Sequence, residues 1–254
     1  ETEAREAIEL LKSRNRVVVL TGAGISLSSG IPTYRDIHGS WQGRQPIQHH
    51  EFINQHRVRQ RYWLRSFFGW PVVATATPTL SHEALASFEK TGRLQLLVTQ
   101  NVDRLHQRAG SHTVIDLHGR LDEVICIACG AIYSRRLIQE KLMSLNGFLE
   151  SLIPSTHNTV APDGDANASE AMLEKMTLPC CEHCDGVLKP NVVFFGDSVP
   201  QQTVQQIYAA LNDSDCLLVL GSSLKVFSGY RFCRYAHGRR VPIILVNPGA
   251  SRAD

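Results

Sequence analysis

The stretch Gly22-Ala23-Gly24 follows a short apolar run and has the residue types of a phosphate-binding turn. Backbone amides in such a turn can approach a diphosphate closely, because glycine has no Cβ. The dinucleotide-binding pattern G-x-G-x-x-G is incomplete, since Leu27 stands at its third glycine position. No acidic residue ends a second strand about twenty positions later, where a dehydrogenase would bind the ribose. The stretch predicts a phosphate site that lacks the third glycine and the acidic ribose-binding residue of a dehydrogenase. A tight strand-to-helix turn explains the glycines equally well.

Two C-x-x-C pairs give the sequence a set of metal-ligand candidates, which are Cys126, Cys129, Cys181 and Cys184. Each pair can present two thiolates to one tetrahedral zinc ion, and four thiolates leave no open position for a catalytic water. Cys180 and His183 are possible substitute ligands, but neither keeps the two-residue spacing. In a chain of this length without a secretory signal, such pairs indicate metal binding in a reducing compartment rather than disulfides. The sequence therefore predicts one structural zinc, with two unrelated pairs of thiols as the alternative.

Five short apolar runs, each ending in polar or glycine residues, have the pattern of strands buried on both faces. They cover residues 17–20, 94–98, 114–117, 216–220 and 243–246. Helical patterns such as 81–90 and 201–211 lie between them. Strands that alternate with helices indicate an α/β fold with a Rossmann-like, doubly wound parallel sheet. Because ligands of such sheets bind outside the carboxyl ends of the strands, we expect the polar strand ends to form one site.

The stretch between the two cysteine pairs departs from this alternation. It contains a helical candidate at 135–148 and a Pro-, Gly-, Asn- and Asp-rich loop at 154–169. We interpret it as a small zinc-binding domain, residues 120–187, inserted into a discontinuous Rossmann-like domain formed by 1–119 and 188–254. Within the larger domain, residues 31–80 are expected to form in part a cofactor-binding loop and a helical segment.

Composition excludes several classes of protein. Hydrophobic residues make up 43% and charged residues 20% of the 254 residues, which is typical of a globular protein, and the net charge is only +2. This balance argues against a surface that binds nucleic acid. No apolar run approaches the roughly 18–20 residues that span a bilayer, and the first residues have neither a signal-peptide nor a transit-peptide pattern. We therefore expect a soluble protein with no nucleic-acid partner and no membrane partner.

The string from Gly22 to Arg35, Gly-Ala-Gly-Ile-Ser-x-x-Ser-Gly-Ile-Pro-x-Tyr-Arg, closely resembles the signature of the sirtuin family. Further blocks at 99–103, 117–119 and 188–197 fit the family in order, so that the resemblance covers nearly the whole chain. The strings at 41–47 and 161–165 are similar to those of class II sirtuins, a group with mitochondrial and bacterial members. The resemblance implies an enzyme that is cytoplasmic in a bacterium and located in the mitochondrial matrix in a eukaryote.

The family resemblance implies NAD as co-substrate and assigns NAD contacts by position. They would come from Gly22, Ala23, Gly24, Ile31, Tyr34, Arg35, Gln100, Asn101, Asp103, Gly221, Ser222, Ser223, Asn247 and Gly249. His118 would be the general base, a role that suits an imidazole with an ordinary pKa near 6.5. The implied reaction converts NAD and an acyl-lysine of a protein or peptide into nicotinamide, free lysine and O-acyl-ADP-ribose. Transfer of ADP-ribose to protein from the same NAD pocket is the alternative, and no oligomer is required.

Two further stretches would bind the acyl-lysine substrate. The segment 59–65 resembles the Tyr-x-x-Arg element of class II sirtuins, so Tyr62 and Arg65 would favour longer or carboxylated acyl groups. From the residues alone, a solvated basic helix face with Trp63 packed inward is the preferred interpretation. The apolar block after the second cysteine pair could pair with an extended peptide, although an interior strand is equally consistent with it. Its assigned substrate residues are Val192, Val193, Phe194 and Gly196.

Overall fold

The structure is a computed structural model that describes residues 2–31, 46–155 and 170–253. In chain order, its elements are α1 (Thr2–Lys12), β1 (Val17–Thr21), α2 (His49–Asn54), α3 (His56–Thr75), α4 (Leu80–Lys90), β2 (Leu94–Thr99), α5 (Leu105–Arg108), β3 (Val114–Asp116), β4 (Gly119–Cys126), β5 (Ile132–Ser134), α6 (Arg135–Leu145), α7 (Glu170–Lys175), β6 (Leu188–Val192), α8 (Gln201–Asn212), β7 (Cys216–Leu220), α9 (Phe227–Gly238) and β8 (Ile243–Val246). Short 3-10 helices span Ala23–Ser29 and Gly147–Ser155. Tyr34, Arg35, residues 41–45 and the string 161–165 lie outside the described residues.

The predicted α/β fold is confirmed by a five-stranded sheet in the order β3-β2-β1-β7-β8. Every neighbouring pair in this sheet is parallel, and its strands are those expected from the apolar runs. The chain builds outward from β1 to β2 and β3 on one side, and then to β7 and β8 on the other. The reversal places a switch point between β1 and β7. A crevice for a ligand is expected at the carboxyl ends of these two strands.

Both faces of the large sheet are buried, which explains why its strands read as continuous apolar runs. On one face, Leu20, Val98 and Val219 pack with the helices α8 and α9. On the other face, Val19 and Leu97 pack against α1 and α4. Because alternate residues of each strand point to opposite faces, both sets of side chains must be apolar.

A second sheet, antiparallel and three-stranded, has the order β5-β4-β6. Its core also takes in Trp63 and Phe67 of α3, which pack with Val124, Ile138 and Leu142. The helix α3 therefore packs on the three-stranded sheet, a contact that sequence spacing does not reveal. The domain limits at 119/120 and 187/188 stay predictions. β4 begins at Gly119 and β6 begins at Leu188, and these two strands pair with each other across the predicted limits.

The helix predicted at 135–148 is α6, which ends at Leu145, three residues before the predicted end. The side-chain amide of the buried Asn146 donates to the carbonyls of Leu142 and Thr177, at 2.9 and 2.8 Å. These bonds stop the helix, and the chain continues as a 3-10 helix. In the described part of the chain, no helix combines the length and the apolar character that a membrane crossing requires.

Candidate active site

A cavity of about 670 Å³ lies at the carboxyl ends of β1, β2 and β7, between the large sheet and the three-stranded sheet. It is bordered by every sequence-predicted NAD or substrate residue that the structure describes, and by His118. These residues are Gly22, Ala23, Gly24, Ile31, Tyr62, Arg65, Gln100, Asn101, Asp103, His118, Val192, Val193, Phe194, Gly196, Gly221, Ser222, Ser223, Asn247 and Gly249. The structure thus brings together residues from both ends of the chain. Their individual roles toward NAD and the acyl-lysine stay predictions.

The turn after β1 is shaped by its close approach to the turn after β7. A Cβ on Gly22 would lie 2.7 Å from the Cβ of Ser222, and one on Gly24 would lie 2.9 Å from the carbonyl oxygen of Gly221. The amide of Gly24 donates to that same carbonyl at 2.9 Å, and the amide of Gly22 donates to Leu220 at 3.1 Å. These two amides are occupied within the protein. We therefore expect Gly22 and Gly24 to shape the cavity wall and to contact a ligand through other atoms.

A buried polar network holds the residues that follow β2. The carboxylate of Asp103 accepts from the hydroxyl of Ser26 at 2.7 Å and from the amide of Leu105 at 2.9 Å. The side-chain amide of Asn101 donates to Ser26 at 3.0 Å and to the carbonyl of Gly22 at 3.1 Å. Polar side chains locked in this way are preorganised for a ligand. Ser26 lies within the signature string, but sequence reasoning gave it no role.

His118 is held by hydrogen bonds at both ring nitrogens. Nδ1 lies 2.9 Å from the carbonyl oxygen of Gln100, and Nε2 lies 2.7 Å from the hydroxyl of Ser228. A carbonyl can only accept, so Nδ1 carries the proton and Nε2 presents its lone pair. Burial lowers the pKa of His118 below its ordinary value, and the bond to Gln100 acts in the opposite direction. At neutral pH the imidazole is therefore uncharged and has a basic Nε2 at the cavity.

The helix α3 forms an aromatic and cationic wall of the same cavity. Tyr62 packs against Phe194, with ring centroids 5.3 Å apart, and against Phe52 at 5.4 Å. Trp63 is packed inward and is only 1% exposed. Arg65 is 4% exposed and borders the cavity, so its guanidinium does not belong to a solvated basic face. The interpretation that the residues alone favoured is wrong for Arg65 because the cavity, and not solvent, faces this side of α3.

The segment that follows β6 runs along the cavity beside His118. β6 is an edge strand of the three-stranded sheet. The amide of Val193 donates to the carbonyl of His118 at 2.8 Å, and the carbonyl of Phe195 accepts from His49 at 2.8 Å. The segment that the resemblance assigns to the substrate, residues 192–196, is therefore hydrogen-bonded directly to the backbone of His118.

The four predicted zinc ligands, Cys126, Cys129, Cys181 and Cys184, converge with their sulfur atoms within 4.8 Å of one another. Sγ of Cys126 and Cys184 are 3.5 Å apart, and Sγ of Cys129 and Cys181 are 3.6 Å apart. Tetrahedral zinc–thiolate geometry requires about 3.8 Å between sulfurs, so the donor set fits zinc. Cys180 turns away toward Asp185 and does not join the cluster. A Cβ on Gly186 would lie 2.8 Å from Sγ of Cys126, which explains the glycine beside the site.

A buried pair of histidines lies beneath the turn after β1. The rings of His82 and His106 have centroids 4.6 Å apart, and Nε2 of His106 is hydrogen-bonded to the hydroxyl of Thr21 at 2.9 Å. Both side chains are at most 1% exposed. Burial, followed by the neighbouring His82, lowers the pKa of His106 to about 3. Sequence reasoning did not find this pair, because the two residues come from different helices.

This histidine pair predicts a loss of stability in mild acid. The unfolded chain takes up protons as the pH falls below about 6.5, whereas folded His106 takes none until about pH 3. The free energy of unfolding should therefore fall as the pH falls, by about 2 kcal/mol from His106 between pH 6.5 and 5. Burial also lowers the pKa of His82, so this residue acts in the same direction. Urea unfolding at several pH values measures this slope.

The variants His106→Gln and His50→Gln test the assignment, since His50 is exposed on α2. We expect His106→Gln to be less stable at pH 7 but to lose less stability on acidification, and His50→Gln to follow the wild-type curve. A slope that is unchanged in His106→Gln would show that this pair does not govern acid sensitivity.

Comparison with known proteins agrees with the sequence resemblance. A model of the Sir2 family matches residues 22–228. NAD-dependent protein deacetylase 2 of Bradyrhizobium diazoefficiens is 47% identical over 246 residues, which are 97% of this chain and 89% of the relative. The human mitochondrial NAD-dependent protein lipoamidase sirtuin-4 is 42% identical in an alignment of 255 positions, which covers 99% of this chain and 80% of the relative.

Solved structures show the same similarity. A Sir2 protein in complex with a peptide and NAD+ has a TM-score of 0.78 at 30% identity, and the match covers 98% of this chain and 88% of that chain. A Sir2 protein bound to a propionylated peptide has a TM-score of 0.74 at 28% identity, with the same two coverages.

Proposed function

This chain belongs to the Sir2 family, and on that premise we propose that its cavity binds NAD and an acyl-lysine side by side, with His118 as the general base. The chain is an NAD-dependent protein-lysine deacylase that carries one structural zinc. The observation that carries the proposal is the position of Nε2 of His118. This unprotonated nitrogen borders the same cavity as the Gly22–Gly24 turn, the Asn101–Asp103 network and the Val193 segment.

The chemistry divides into a step that needs no base and a step that does. In the first step, the acyl oxygen attacks the ribose carbon that bears nicotinamide, and nicotinamide leaves. In the second step, a ribose hydroxyl attacks the resulting imidate and must lose its proton. Nε2 of His118 can accept that proton because its lone pair is free of a proton at neutral pH. Hydrolysis of the adduct then gives free lysine and O-acyl-ADP-ribose.

An acyl-peptide panel assayed with NAD and mass spectrometry tests this function. We expect one nicotinamide and one O-acyl-ADP-ribose for each lysine that is deacylated. Covalent ADP-ribose on protein, without acyl-ADP-ribose, would instead support the ADP-ribosyltransferase alternative. NAD consumption that does not depend on acylation of the peptide would contradict the deacylase proposal.

We propose that this cavity prefers longer or carboxylated acyl groups. Its α3 side combines apolar and aromatic surface from Tyr62, Trp70, Val73 and Phe194 with one buried cation, Arg65. The apolar surface suits the methylene chain of a long acyl group. A guanidinium in a largely dehydrated wall suits a terminal carboxylate, which it can bind with two parallel hydrogen bonds.

Replacement of Arg65 by glutamine should change acyl selectivity more than total activity. We expect kcat/KM for succinyl- or glutaryl-lysine peptides to fall about 10–100-fold relative to acetyl-lysine peptides, because a hydrogen bond to a charged group contributes about 1.5–3 kcal/mol. Arg61→Gln, on the same helix but outside the cavity lining, is the matched control. An equal loss across the whole panel would contradict the proposed pairing with a carboxylate.

A further inference from the structure

The hydroxyl of Ser228 occupies the lone-pair side of the imidazole of His118, with Oγ and Nε2 2.7 Å apart. Since Nδ1 donates its proton to the carbonyl of Gln100, Nε2 can only accept, and the hydroxyl of Ser228 must be the donor. We propose that Ser228 is a positioning residue: its hydroxyl holds Nε2 of the neutral ring in the cavity wall and leaves that nitrogen when a ribose hydroxyl takes its place. This inference rests on the proposed role of His118 as the general base.

The first turn of α9 contains one hydrogen-bond partner of the imidazole, Ser228, and contacts the other, Gln100. Ser228 bonds Nε2, and the next residue, Gly229, packs on the side chain of Gln100, whose carbonyl holds Nδ1. A Cβ on Gly229 would lie 2.5 Å from Oε1 of Gln100, so a larger residue there would displace the side chain of Gln100. The side chain of Gln100 is in turn fixed to the hydroxyl of Ser222 at 2.8 Å. Both ring nitrogens are thus hydrogen-bonded to residues, Gln100 and Ser228, that belong to one set of contacting segments.

This geometry has a defined consequence for proton affinity. The hydroxyl donates to Nε2 of the neutral ring, and after rotation it accepts from Nε2–H of the protonated ring. The second bond is charge-assisted and about twice as strong as the first, so removal of the hydroxyl destabilises the protonated ring more and lowers the pKa of His118. The acid limb of the pH–rate profile then moves to lower pH.

Other charged groups on the surrounding elements do not change between wild type and a Ser228 variant. They are Asp103, Asp116, Arg120, Asp197, Lys225 and Arg231. Asp103 accepts from Ser26, and Arg120 pairs with Asp122 at 2.6 Å. A difference in titration between wild type and variant therefore reports on the Ser228 hydroxyl.

An NMR titration of His118 in the enzyme without NAD tests the proposal directly, with the resonance assigned by its absence in His118→Ala. We expect the midpoint in Ser228→Ala to lie about half to one pH unit below that of wild type, the difference between a charge-assisted and a neutral hydrogen bond. Ser228→Thr keeps the hydroxyl and should keep the wild-type midpoint. Ser214→Ala, which removes a hydroxyl that bonds only the end of α8, is the matched control.

Kinetics give a second, independent result. The acid limb of kcat/KM should move to lower pH in Ser228→Ala and should not move in Ser214→Ala. An identical His118 midpoint and an identical acid limb in wild type and Ser228→Ala would overturn the role of Ser228. Full deacylation by His118→Ala would instead overturn the assignment of the base itself, so the two failures are distinguishable.

Discussion

Replacing His118 by alanine is expected to lower NAD-dependent deacylation about 10²–10⁴-fold, the usual contribution of a general base. The ring has no other role in holding the fold, since its two bonds are to the Gln100 carbonyl and the Ser228 hydroxyl at the cavity wall. Zinc content and the unfolding temperature should therefore stay at wild-type values. Steady-state rates from the acyl-peptide panel, with zinc analysis of the same preparations, measure both.

The two chemical steps provide a sharper form of this experiment. Release of nicotinamide by the first attack needs no base, so His118→Ala should still exchange labelled nicotinamide into NAD in the presence of an acyl-peptide. His237→Ala is the matched control, because His237 is exposed at the end of α9. Wild-type deacylation by His118→Ala would show that another group accepts the ribose proton, and loss of nicotinamide exchange would show that His118 is needed before the base-dependent step.

Loss of one zinc ligand is expected to have the second large effect. Structural zinc contributes roughly 10–16 kcal/mol to the folding of small zinc-binding peptides, more than the whole stability of many domains. In Cys181→Ser, we expect zinc content to fall from one ion per chain to near zero and the three-stranded sheet to unfold. Deacylation should be lost as well, because β6 and the Val193 segment are continuous with that sheet.

Cys180→Ser is a closely matched control for the zinc experiment. Cys180 adjoins Cys181 in sequence, but its sulfur contacts Asp185 and lies outside the cluster. The control should retain one zinc ion, its unfolding temperature and its activity. Stoichiometric zinc in Cys181→Ser, or equal zinc loss in the two variants, would contradict the assigned ligand set.

Much of the fold was predictable because the central strands of the large sheet are buried on both faces. That burial requires runs such as residues 17–20 and 216–220 to be apolar, and such runs are visible in the sequence. The cysteine pairs were predictable for a related reason, since ligand spacing is local. The contact of α3 with the core of the three-stranded sheet was not predictable, because it depends on packing between segments distant in the chain.

The candidate site was predictable in part. The strand-end rule and the family resemblance named the residues around the cavity, and the structure places all of those that it describes there. It also changes the interpretation of three of them. The amides of Gly22 and Gly24 are used within the protein, and Arg65 is buried rather than solvated. Neither fact has a signature in residue type or spacing.

By itself, the sequence determined the α/β class and the zinc ligands, because apolar periodicity and local spacing record these features directly. The family resemblance named the individual residues that meet at one edge of the sheet. Only the tertiary structure decided which nitrogen of His118 is basic. That choice depends on the carbonyl of Gln100 and the hydroxyl of Ser228, and Ser228 lies 110 residues from His118 along the chain. The proton affinity of a side chain depends on the atoms that surround it in space, and folding alone brings those atoms together.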